Sequence, residues 1–322
     1  MAIALRGKKI WVAGHQGMVG SALVRRLEAE ACTLLSASRA ELDLTDQTAV
    51  DAWVRKQAPD VIFLAAAKVG GIHANTTYPV EFLQDNLLIE TNVIHSAYKY
   101  GVKKLIFLAS ACMYPKLAPQ PIQEDSLLSG ALEPTNEPYA IAKIAGTKLC
   151  QAYREQYGCD FITVVPTNSY GPHDNFCLET GHVPAALMLK AHLAKEKCEK
   201  SITLWGTGSP KREFIHVDDM ADAIVFAAQN YSSSLPINIG SGHELAISDL
   251  AAAIMAAVGY TGEITYDRSK PDGAPRKLLN CEKLTQMGWR SKHDLSSGLK
   301  MTYQWFCQNN IASAPSLADN PL

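Results

Sequence analysis

The chain of 322 residues lacks a strong excess of either charge, because 30 Lys and Arg residues stand against 32 Asp and Glu residues and leave a net charge of −2. A field this weak gives little attraction for nucleic acid or for an anionic membrane. Long apolar runs are also missing: near the N-terminus only residues 10–13 are continuously apolar, too few for a signal peptide or a membrane span. We therefore expect neither nucleic acid nor membrane as a partner.

The eight cysteines stand singly, without a CxxC pair or the spacing of a metal knot. In a chain of this length, that usage indicates reduced thiols, a cytoplasmic location and no metal site. The sequence also lacks internal repeats and low-complexity blocks. What it has is apolar material, since 47% of its residues are hydrophobic, enough for one large core or for one and a half domains.

Short apolar segments alternate with amphipathic segments through the first half of the chain. The apolar runs predict strands at residues 9–13, 33–38, 61–66, 104–109 and 161–165, with helices at 18–31, 45–57, 79–100 and 138–157. Thr45 is expected to cap the second helix and Gly101 to end the third. The alternation predicts an α/β fold with a doubly wound parallel sheet.

The character of the sequence changes after residue 171. Residues 172–200 mix loop and helix, 201–205 favour a strand, and 236–239 are expected to rejoin the main sheet. Ser248 is expected to cap a helix over 248–258. We expect a sheet domain over 1–170 that also takes in about 213–240. Residues 171–212 and 241–312 would form a smaller, interleaved C-terminal substrate lobe, followed by a flexible tail over 313–322.

A glycine-rich loop joins the first predicted strand to the first predicted helix. Gly14, Gly17 and Gly20 have the spacing GxxGxxG at this strand–helix junction. Glycine permits the tight turn and the close approach of backbone to a pyrophosphate, which the helix N-terminus attracts. A turn needed only for packing is the alternative. The context favours a dinucleotide site in the sheet domain, with Met18 and Val19 among its contacts.

The residue that selects between NAD and NADP is expected near the end of the second strand, where no acidic residue stands. Ser38 and Arg39 stand there and can bind a 2′-phosphate, so NADP(H) is the preferred cofactor. The alternative for Arg39 is an ordinary surface arginine. Further expected contacts are Asp43 and Leu44 near the adenine, and Ala65 and Ala67 at the end of the third strand.

Tyr139 and Lys143 lie one helical turn apart on one face of a predicted helix. The ammonium is expected to lower the pKa of the phenol and so make it a usable acid near neutral pH. Most pairs with this spacing are solvated surface neighbours. Ser110, however, follows a buried strand at the sheet edge where ligands bind, so the three side chains can converge beside a dinucleotide.

The glycine loop, the strand-end serine, the YxxxK pair and Tyr170-Gly171-Pro172 together resemble the extended short-chain dehydrogenase/reductase family. The motif RxFxHVxD, which begins at Arg212, adds to a resemblance that covers about residues 8–305. It implies a Rossmann fold and an NADP-dependent reduction. In that reduction Tyr139 would donate a proton to a ketone oxygen, Ser110 would hydrogen-bond that oxygen, and Lys143 would hold the nicotinamide ribose.

Five strings, at residues 13–21, 64–72, 112–116, 171–176 and 271–279, narrow the resemblance to the branch that acts on GDP-4-keto-6-deoxy-D-mannose. This implies a bifunctional enzyme that epimerises the GDP-sugar at C3 and C5 and then reduces its C4 ketone with NADPH, which gives GDP-L-fucose. Two alternatives stay open. One is a reductase of another GDP-4-keto sugar such as a GDP-heptose, with or without epimerase activity, and the other is a non-enzymatic cofactor-binding protein.

The resemblance also assigns the proton chemistry, with Cys112 as the base and His182 as the acid of the epimerisations. Cys112 is expected on an extended segment, where it would face the same side as Ser110. Taken alone, Cys112 would be an inert buried thiol and His182 a loop histidine. The remaining implied cofactor contacts are Lys143, Pro166, Asn168 and His182, and the implied substrate contacts are Asn168, Lys190, Trp205, Arg212, Asp272 and Lys277. Lys190 stands where the family has an arginine, and Gln16 where it often has a basic residue.

Two long helices, at about 80–100 and 138–157, have apolar stripes. In this family such helices commonly form a four-helix interface between two subunits. The resemblance therefore implies a homodimer.

Overall fold

The computed structural model describes residues 3–270, 272–309 and 311, so the expected tail over 313–322 lies outside the described residues. The strands are β1 (Lys9–Ala13), β2 (Thr33–Leu35), β3 (Val61–Leu64), β4 (Lys104–Leu108), β5 (Phe161–Pro166), β6 (Asn168–Tyr170), β7 (Ser201–Trp205), β8 (Lys211–His216), β9 (Ile237–Ile239), β10 (Glu244–Ala246), β11 (Glu263–Asp267) and β12 (Arg276–Lys277). The α-helices are α1 (Met18–Leu27), α2 (Gln47–Gln57), α3 (Ile72–Thr77), α4 (Pro79–Lys99), α5 (Glu137–Tyr157), α6 (Val183–Glu196), α7 (Val217–Asn230), α8 (Ile247–Val258), α9 (Glu282–Gln286) and α10 (Leu295–Gln308).

The main sheet has six strands in the order β2-β1-β3-β4-β5-β9, and every neighbouring pair is parallel. Its central strands are apolar on both faces because helices cover both. Ile10 and Ile106 pack on one side with residues of α1 and α7. Trp11 and Phe107 pack on the other side with residues of α2, α4 and α5. The predicted doubly wound α/β fold is confirmed.

The order of the strands reverses at β1. The chain passes from β1 to β2 on one side and then returns to β3 on the other side. In open α/β sheets, ligands bind in the crevice outside the carboxyl ends of the strands at such a switch point. The loop that begins at Gly14 and the segment that begins at Ala65 leave β1 and β3 there, and the Ala65 N–H donates to the Ala13 carbonyl oxygen at 3.0 Å.

A second group of strands lies beyond the main sheet. β8 pairs in parallel with β6 and β12 and antiparallel with β10, while β7 and β11 form a parallel pair. Helices α6, α8 and α10 enclose a separate apolar core around Met188, Ile254 and Phe306. The chain leaves the main sheet after β5, returns to it at β9 and leaves again. This path brings residues from the last third of the chain to the carboxyl edge of the main sheet.

Two helix starts differ from the sequence prediction. Asp46 caps α2 instead of Thr45, because its Oδ1 accepts from the N–H groups of Thr48 at 2.8 Å and Ala49 at 3.0 Å. The Thr45 hydroxyl donates instead to the Oδ1 of Asp43, two residues earlier in the chain. Helix α8 begins at residue 247, so Ser248 lies inside its first turn and donates its N–H to the Gly208 carbonyl oxygen.

The second strand ends at residue 35 and not at 38, which leaves residues 36–38 outside the sheet and before a turn. Across the described ranges, none of the helices combines the length and the apolar character that a bilayer crossing requires.

Candidate active site

The glycine loop is packed too closely for other residues at two of its positions. Gly14 has a φ of +87°, and a Cβ on it would lie 2.6 Å from the Ala66 backbone nitrogen. A Cβ on Gly20 would collide with the Gly14 carbonyl oxygen. Gly17 is the N-cap residue of α1, and Met18 and Val19 follow as its first, half-buried residues. Bare backbone N–H groups at the end of β1 fit a pyrophosphate.

An acidic side chain lies near the end of β2, where the sequence predicted none. Both the N–H and the hydroxyl of Ser38 donate to the Glu41 Oε2, each at 2.8 Å, and these bonds lower the pKa of Glu41. Glu41 was not predicted because it comes several residues after the strand. The chain turns back after residue 38 and brings the Glu41 carboxylate to the strand end. Arg39 is exposed. A 2′-phosphate would therefore meet a free guanidinium and a serine that Glu41 already engages.

The remaining predicted cofactor residues line the same edge of the sheet. Asp43 accepts the N–H and the hydroxyl of Thr45, at 2.9 and 2.8 Å, which lowers its pKa. Leu44, Ala65, Ala67 and Pro166 are half-buried, and Asn168 is exposed. Asn168 follows the end of β5 by two residues and begins β6. Its Nδ2 donates to the Glu213 carbonyl oxygen at 3.0 Å.

Ser110, Tyr139 and Lys143 are brought together at the carboxyl edge of β4. Ser110 hydrogen-bonds the Tyr139 hydroxyl, and the Lys143 Nζ lies 5.8 Å from the centre of the Tyr139 ring. Burial raises the pKa of Tyr139, as do Cys112 and Glu90, whereas the bond to Ser110 lowers it. This direction is opposite to the expectation from the Tyr–Lys spacing.

The reason is a neighbour that the motif does not reveal. Glu90 of α4 pairs with the ammonium of Lys143 at 2.9 Å, so the net positive charge near the phenol is small. The lysine is also held by the Leu108 carbonyl oxygen at 3.1 Å. Desolvation therefore dominates the pKa of Tyr139.

Cys112 lies in a short 3₁₀ turn, Ala111–Met113, and not on an extended segment as expected. The turn forms because the Ser110 hydroxyl oxygen caps it and accepts the Cys112 N–H at 3.3 Å. The Cys112 Sγ accepts a hydrogen bond from the Asn136 Nδ2 at 3.1 Å and lies 4.0 Å from the Lys277 Nζ. The turn still places the thiol beside the Ser–Tyr–Lys group, with a donor and a cation on its other sides.

His182 is the N-cap residue of α6, and its side chain is 40% exposed. Its Nδ1 lies 3.3 Å from the Oδ1 of Asp174, which is nearly buried. Burial by itself would lower the pKa of His182, but the hydrogen bond and the charge of Asp174 outweigh it and raise the pKa. Among the described residues His182 contacts Asp174, and it contacts neither Cys112 nor Tyr139.

Two of the predicted substrate residues lie beside Cys112. Arg212 of β8 and Lys277 of β12 are register partners in parallel strands, which sets them side by side. Burial lowers the pKa of Arg212, and the negative charge of an ionised Cys112 opposes that shift. The guanidinium Nη1 donates to the Lys211 carbonyl oxygen at 2.8 Å. This leaves further N–H groups of Arg212 for a phosphate.

The other predicted substrate residues lie around the end of β7. Trp205 is 60% exposed, with the Lys270 Nζ 5.4 Å from the centre of its ring. Asp272 accepts the N–H and hydroxyl of Thr207, at 2.9 and 2.7 Å. Lys190 donates to the Thr203 carbonyl oxygen at 2.8 Å, and burial lowers its pKa. An exposed indole with neighbouring polar groups suits a sugar or a base.

Sequence reasoning missed Glu90, Asn136 and Asp174, which contact Lys143, Cys112 and His182 respectively. Asn136 is the residue before α5 and Asp174 lies eight residues before His182, so both stand near a motif. Their side-chain types gave no signal by themselves. Glu90 is 53 positions from its lysine and carries no local signature.

Hydride transfer beside a bound dinucleotide is the chemistry that this arrangement of side chains supports. The chain belongs to the NAD dependent epimerase/dehydratase family, whose model matches residues 10–240. The GDP-L-fucose synthase 1 of Arabidopsis thaliana is 55% identical over 305 residues, covering 94% of this chain and 94% of its own. The GDP-L-fucose synthase of Sinorhizobium fredii (strain NBRC 101917 / NGR234) is 53% identical, covering 95% and 97%. The predicted family resemblance is confirmed.

Solved structures agree with this assignment. A GDP-L-fucose synthetase from Naegleria fowleri bound to NADP superposes with a TM-score of 0.89 at 30% identity, covering 96% of this chain and 97% of its own. A GDP-6-OMe-4-keto-L-xylo-heptose reductase from C. jejuni superposes with a TM-score of 0.91 at 35% identity, covering 96% and 100%. Both kinds of relative share the fold across almost the whole chain.

Proposed function

We propose that the protein converts GDP-4-keto-6-deoxy-D-mannose to GDP-L-fucose, by epimerisation at C3 and C5 and then NADPH-dependent reduction at C4. The observation that carries this proposal is the convergence of two kinds of proton-handling group. Cys112, with its amide donor, lies beside the Ser110–Tyr139 pair. The relatives that share more than half of their residues with this chain are GDP-L-fucose synthases along nearly their full length.

The loop at the switch point holds the cofactor. Gly14, Gly17 and Gly20 leave room for its pyrophosphate, and Met18 and Val19 complete that contact. The exposed Arg39, with Ser38, takes the 2′-phosphate of NADP. Asp43, Leu44, Ala65, Ala67, Pro166, Asn168 and His182 line the rest of the cofactor site. Bound NADPH supplies the hydride for the C4 carbon.

In the reduction, Tyr139 donates its hydroxyl proton to the C4 oxygen while Ser110 hydrogen-bonds that oxygen. Lys143 stabilises the phenolate left behind and holds the nicotinamide ribose. The raised pKa of Tyr139 keeps it protonated before the reaction, as a proton donor requires. Substrate and cofactor binding then exclude water from this half-buried side chain.

In the epimerisations, Cys112 removes the C3 and C5 protons, which are acidic because the C4 carbonyl stabilises the resulting carbanion. Asn136 orients the sulfur, and the ammonium of Lys277 lies 4.0 Å from it on the other side. His182 returns a proton from the other face, and the hydrogen bond to Asp174 raises its pKa. Arg212 grips the diphosphate bidentately, and Trp205, Lys190, Asp272 and Asn168 complete the GDP-sugar site.

A second candidate is reduction of another GDP-4-keto sugar, favoured by the likeness to the C. jejuni heptose reductase. The contacts of Cys112 and His182 with Asn136 and Asp174 favour the epimerase reading, because a reductase alone has no need of either group.

We further propose a cytoplasmic homodimer built on α4 and α5. These two long helices pack against each other and leave apolar side chains exposed, among them Leu88 at 38% and Ile141 at 43%. We also propose that residues 1–170 with about 213–240 act as the NADP domain. The substrate lobe would then comprise 171–212 and 241–312.

Turnover of GDP-4-keto-6-deoxy-D-mannose with NADPH tests the function. We expect NADPH oxidation and a product that NMR identifies as GDP-L-fucose, with Tyr139→Phe as the inactive control. A GDP-4-keto-heptose is the competing substrate. If it is reduced and the deoxymannose derivative is not, the second candidate replaces the first.

A further inference from the structure

A buried ion pair lies directly behind the Tyr139–Lys143 pair. The Lys143 Nζ is 2.9 Å from the Glu90 Oε1, and each of the two side chains is only 2% exposed. The same nitrogen donates to the Leu108 carbonyl oxygen at 3.1 Å. The lysine is thus fixed by α4 and by the end of β4, as well as by its own helix.

The space for this carboxylate comes from a glycine. Gly146 lies almost one turn after Lys143, and a Cβ there would come within 2.5 Å of both the Glu90 Oε2 and the Phe107 Cζ. Glycine weakens a helix interior relative to alanine, so a glycine at this position trades helix stability for the room that Glu90 occupies.

The carboxylate acts on its surroundings as a charge. Burial raises the pKa of Glu90, and Lys143 opposes that shift. The titratable groups around the pair are Tyr139 and Cys150 on α5 and Cys112 on the turn after β4. The charge of Glu90 raises the pKa of Tyr139, after burial and Cys112, and it raises that of Cys150 after burial.

We propose that Glu90 is a positioning residue of the reduction, which fixes the Lys143 ammonium and keeps the phenolic proton on Tyr139 until the hydride arrives. This inference rests on the proposed function and adds a residue to it. In the step itself, the ketone carbon gains the hydride and the ketone oxygen gains the Tyr139 proton. NADP⁺ and a phenolate remain, and Lys143 balances the phenolate. Glu90 disfavours that phenolate in the resting enzyme, and hydride transfer offsets this cost because it creates the positive charge of NADP⁺.

The test is Glu90→Gln, which keeps the shape and removes the charge. Lys143 retains two oxygen acceptors in this variant, the Gln amide and the Leu108 carbonyl. Without the carboxylate, Tyr139 should ionise about one pH unit or more lower than in the wild type. The fall of kcat at high pH should move down by the same amount. The KM for the GDP-sugar should change less than about twofold, because Glu90 lies behind the site.

A readout without substrate separates this inference from the proposed function. Tyrosinate absorbance is titrated in the wild type and in Glu90→Gln. Each titration is compared with that of the same protein carrying Tyr139→Phe as well, and the difference isolates one of the 12 tyrosines. If the wild type does not turn over the GDP-sugar, the proposed function fails while this titration still tests Glu90. Equal titrations of Tyr139 with and without Glu90 would overturn the inference.

Two further variants complete the design. Glu90→Asp keeps the negative charge but shortens the side chain by one methylene, which moves the carboxylate away from Lys143. This variant should fold, and the fall of its kcat at high pH should move down by less than in Glu90→Gln. Asp51→Asn is the matched control, because it removes a carboxylate of α2 that pairs at 2.7 Å with Lys99 of α4, the helix that carries Glu90. It should leave the fall of kcat at high pH in place. A purely structural role for Glu90 would lower kcat equally at every pH and leave this fall unmoved in Glu90→Gln and Glu90→Asp alike.

Discussion

At the scale of single residues, the site pairs each reactive side chain with a neighbour that controls it. Lys143 has Glu90, Cys112 has Asn136 and His182 has Asp174. Such partners fix the position of each reactive side chain, and for His182 the partner also raises the pKa. The motif residues indicate which chemistry is possible, and their partners hold them in place for it.

The Cys112–Asn136 contact predicts that epimerisation can be lost separately from reduction. In D₂O, Cys112→Ala should abolish deuterium incorporation at C3 and C5. Asn136→Ala should slow it roughly tenfold or more, because the sulfur loses its donor at 3.1 Å, a contribution on the order of 1.5 kcal/mol. NMR of the recovered sugar measures both rates. Normal incorporation by Cys112→Ala would remove it as the base.

The Asp174–His182 contact predicts a pH shift with a definite sign. Asp174 raises the pKa of His182, so Asp174→Asn should lower it. An acid works only while it is protonated. As the pH rises, proton exchange at the sugar should therefore begin to fall at a lower pH in the variant than in the wild type. A pH profile of deuterium exchange measures this. Asp249→Asn, an exposed carboxylate in the first turn of α8, serves as control and should not move the profile.

At the scale of elements, sequence patterns predicted the strands of the main sheet and the long helices that cover it, but not always where they begin and end. Four buried residues in a row mark β3, for example, because both faces of the sheet are covered. The start of α2 was wrong by one residue, because Thr45 and Asp46 are both good caps and only tertiary contacts decide between them. Asp43 engages the Thr45 hydroxyl, which leaves Asp46 to cap the helix.

Asp46→Ala should therefore destabilise the protein by about 1 kcal/mol, the usual value of a helix N-cap. Thr45→Ala should cost clearly less, because it removes one exposed hydroxyl contact with Asp43. Urea unfolding of the two variants side by side gives the comparison. A larger loss for Thr45→Ala would mean that the cap is Thr45 after all.

In the site as well, some contacts could be predicted from the sequence and others could not. The position of Ser110 at the end of a buried strand follows from local patterns, so the convergence with Tyr139 was predictable. The Glu90 contact was not, because a glutamate within an amphipathic helix normally faces water. Its burial depends on the packing of α4 against α5 and on the small residue Gly146.

At the scale of the whole molecule, α4 and α5 predict the oligomeric state. Light scattering should give twice the 35.0 kDa of one chain. Leu88→Arg combined with Ile141→Arg should produce monomers, because it buries two charges in the proposed interface. Leu235→Arg, at a side chain 52% exposed on neither helix, is the control. A wild-type mass of one chain would exclude the dimer.

The thiol of Cys112 lies where the main sheet meets the later strands. Its donor Asn136 precedes α5, whereas Lys277 belongs to β12 and reaches the sulfur from the other side. If the later strands move away, Lys277 departs while Ser110, Tyr139 and Lys143 stay together. The rate of epimerisation would then depend on the motion of the later strands, whereas the rate of reduction would not. Raising solvent viscosity would therefore slow proton exchange before it slows hydride transfer.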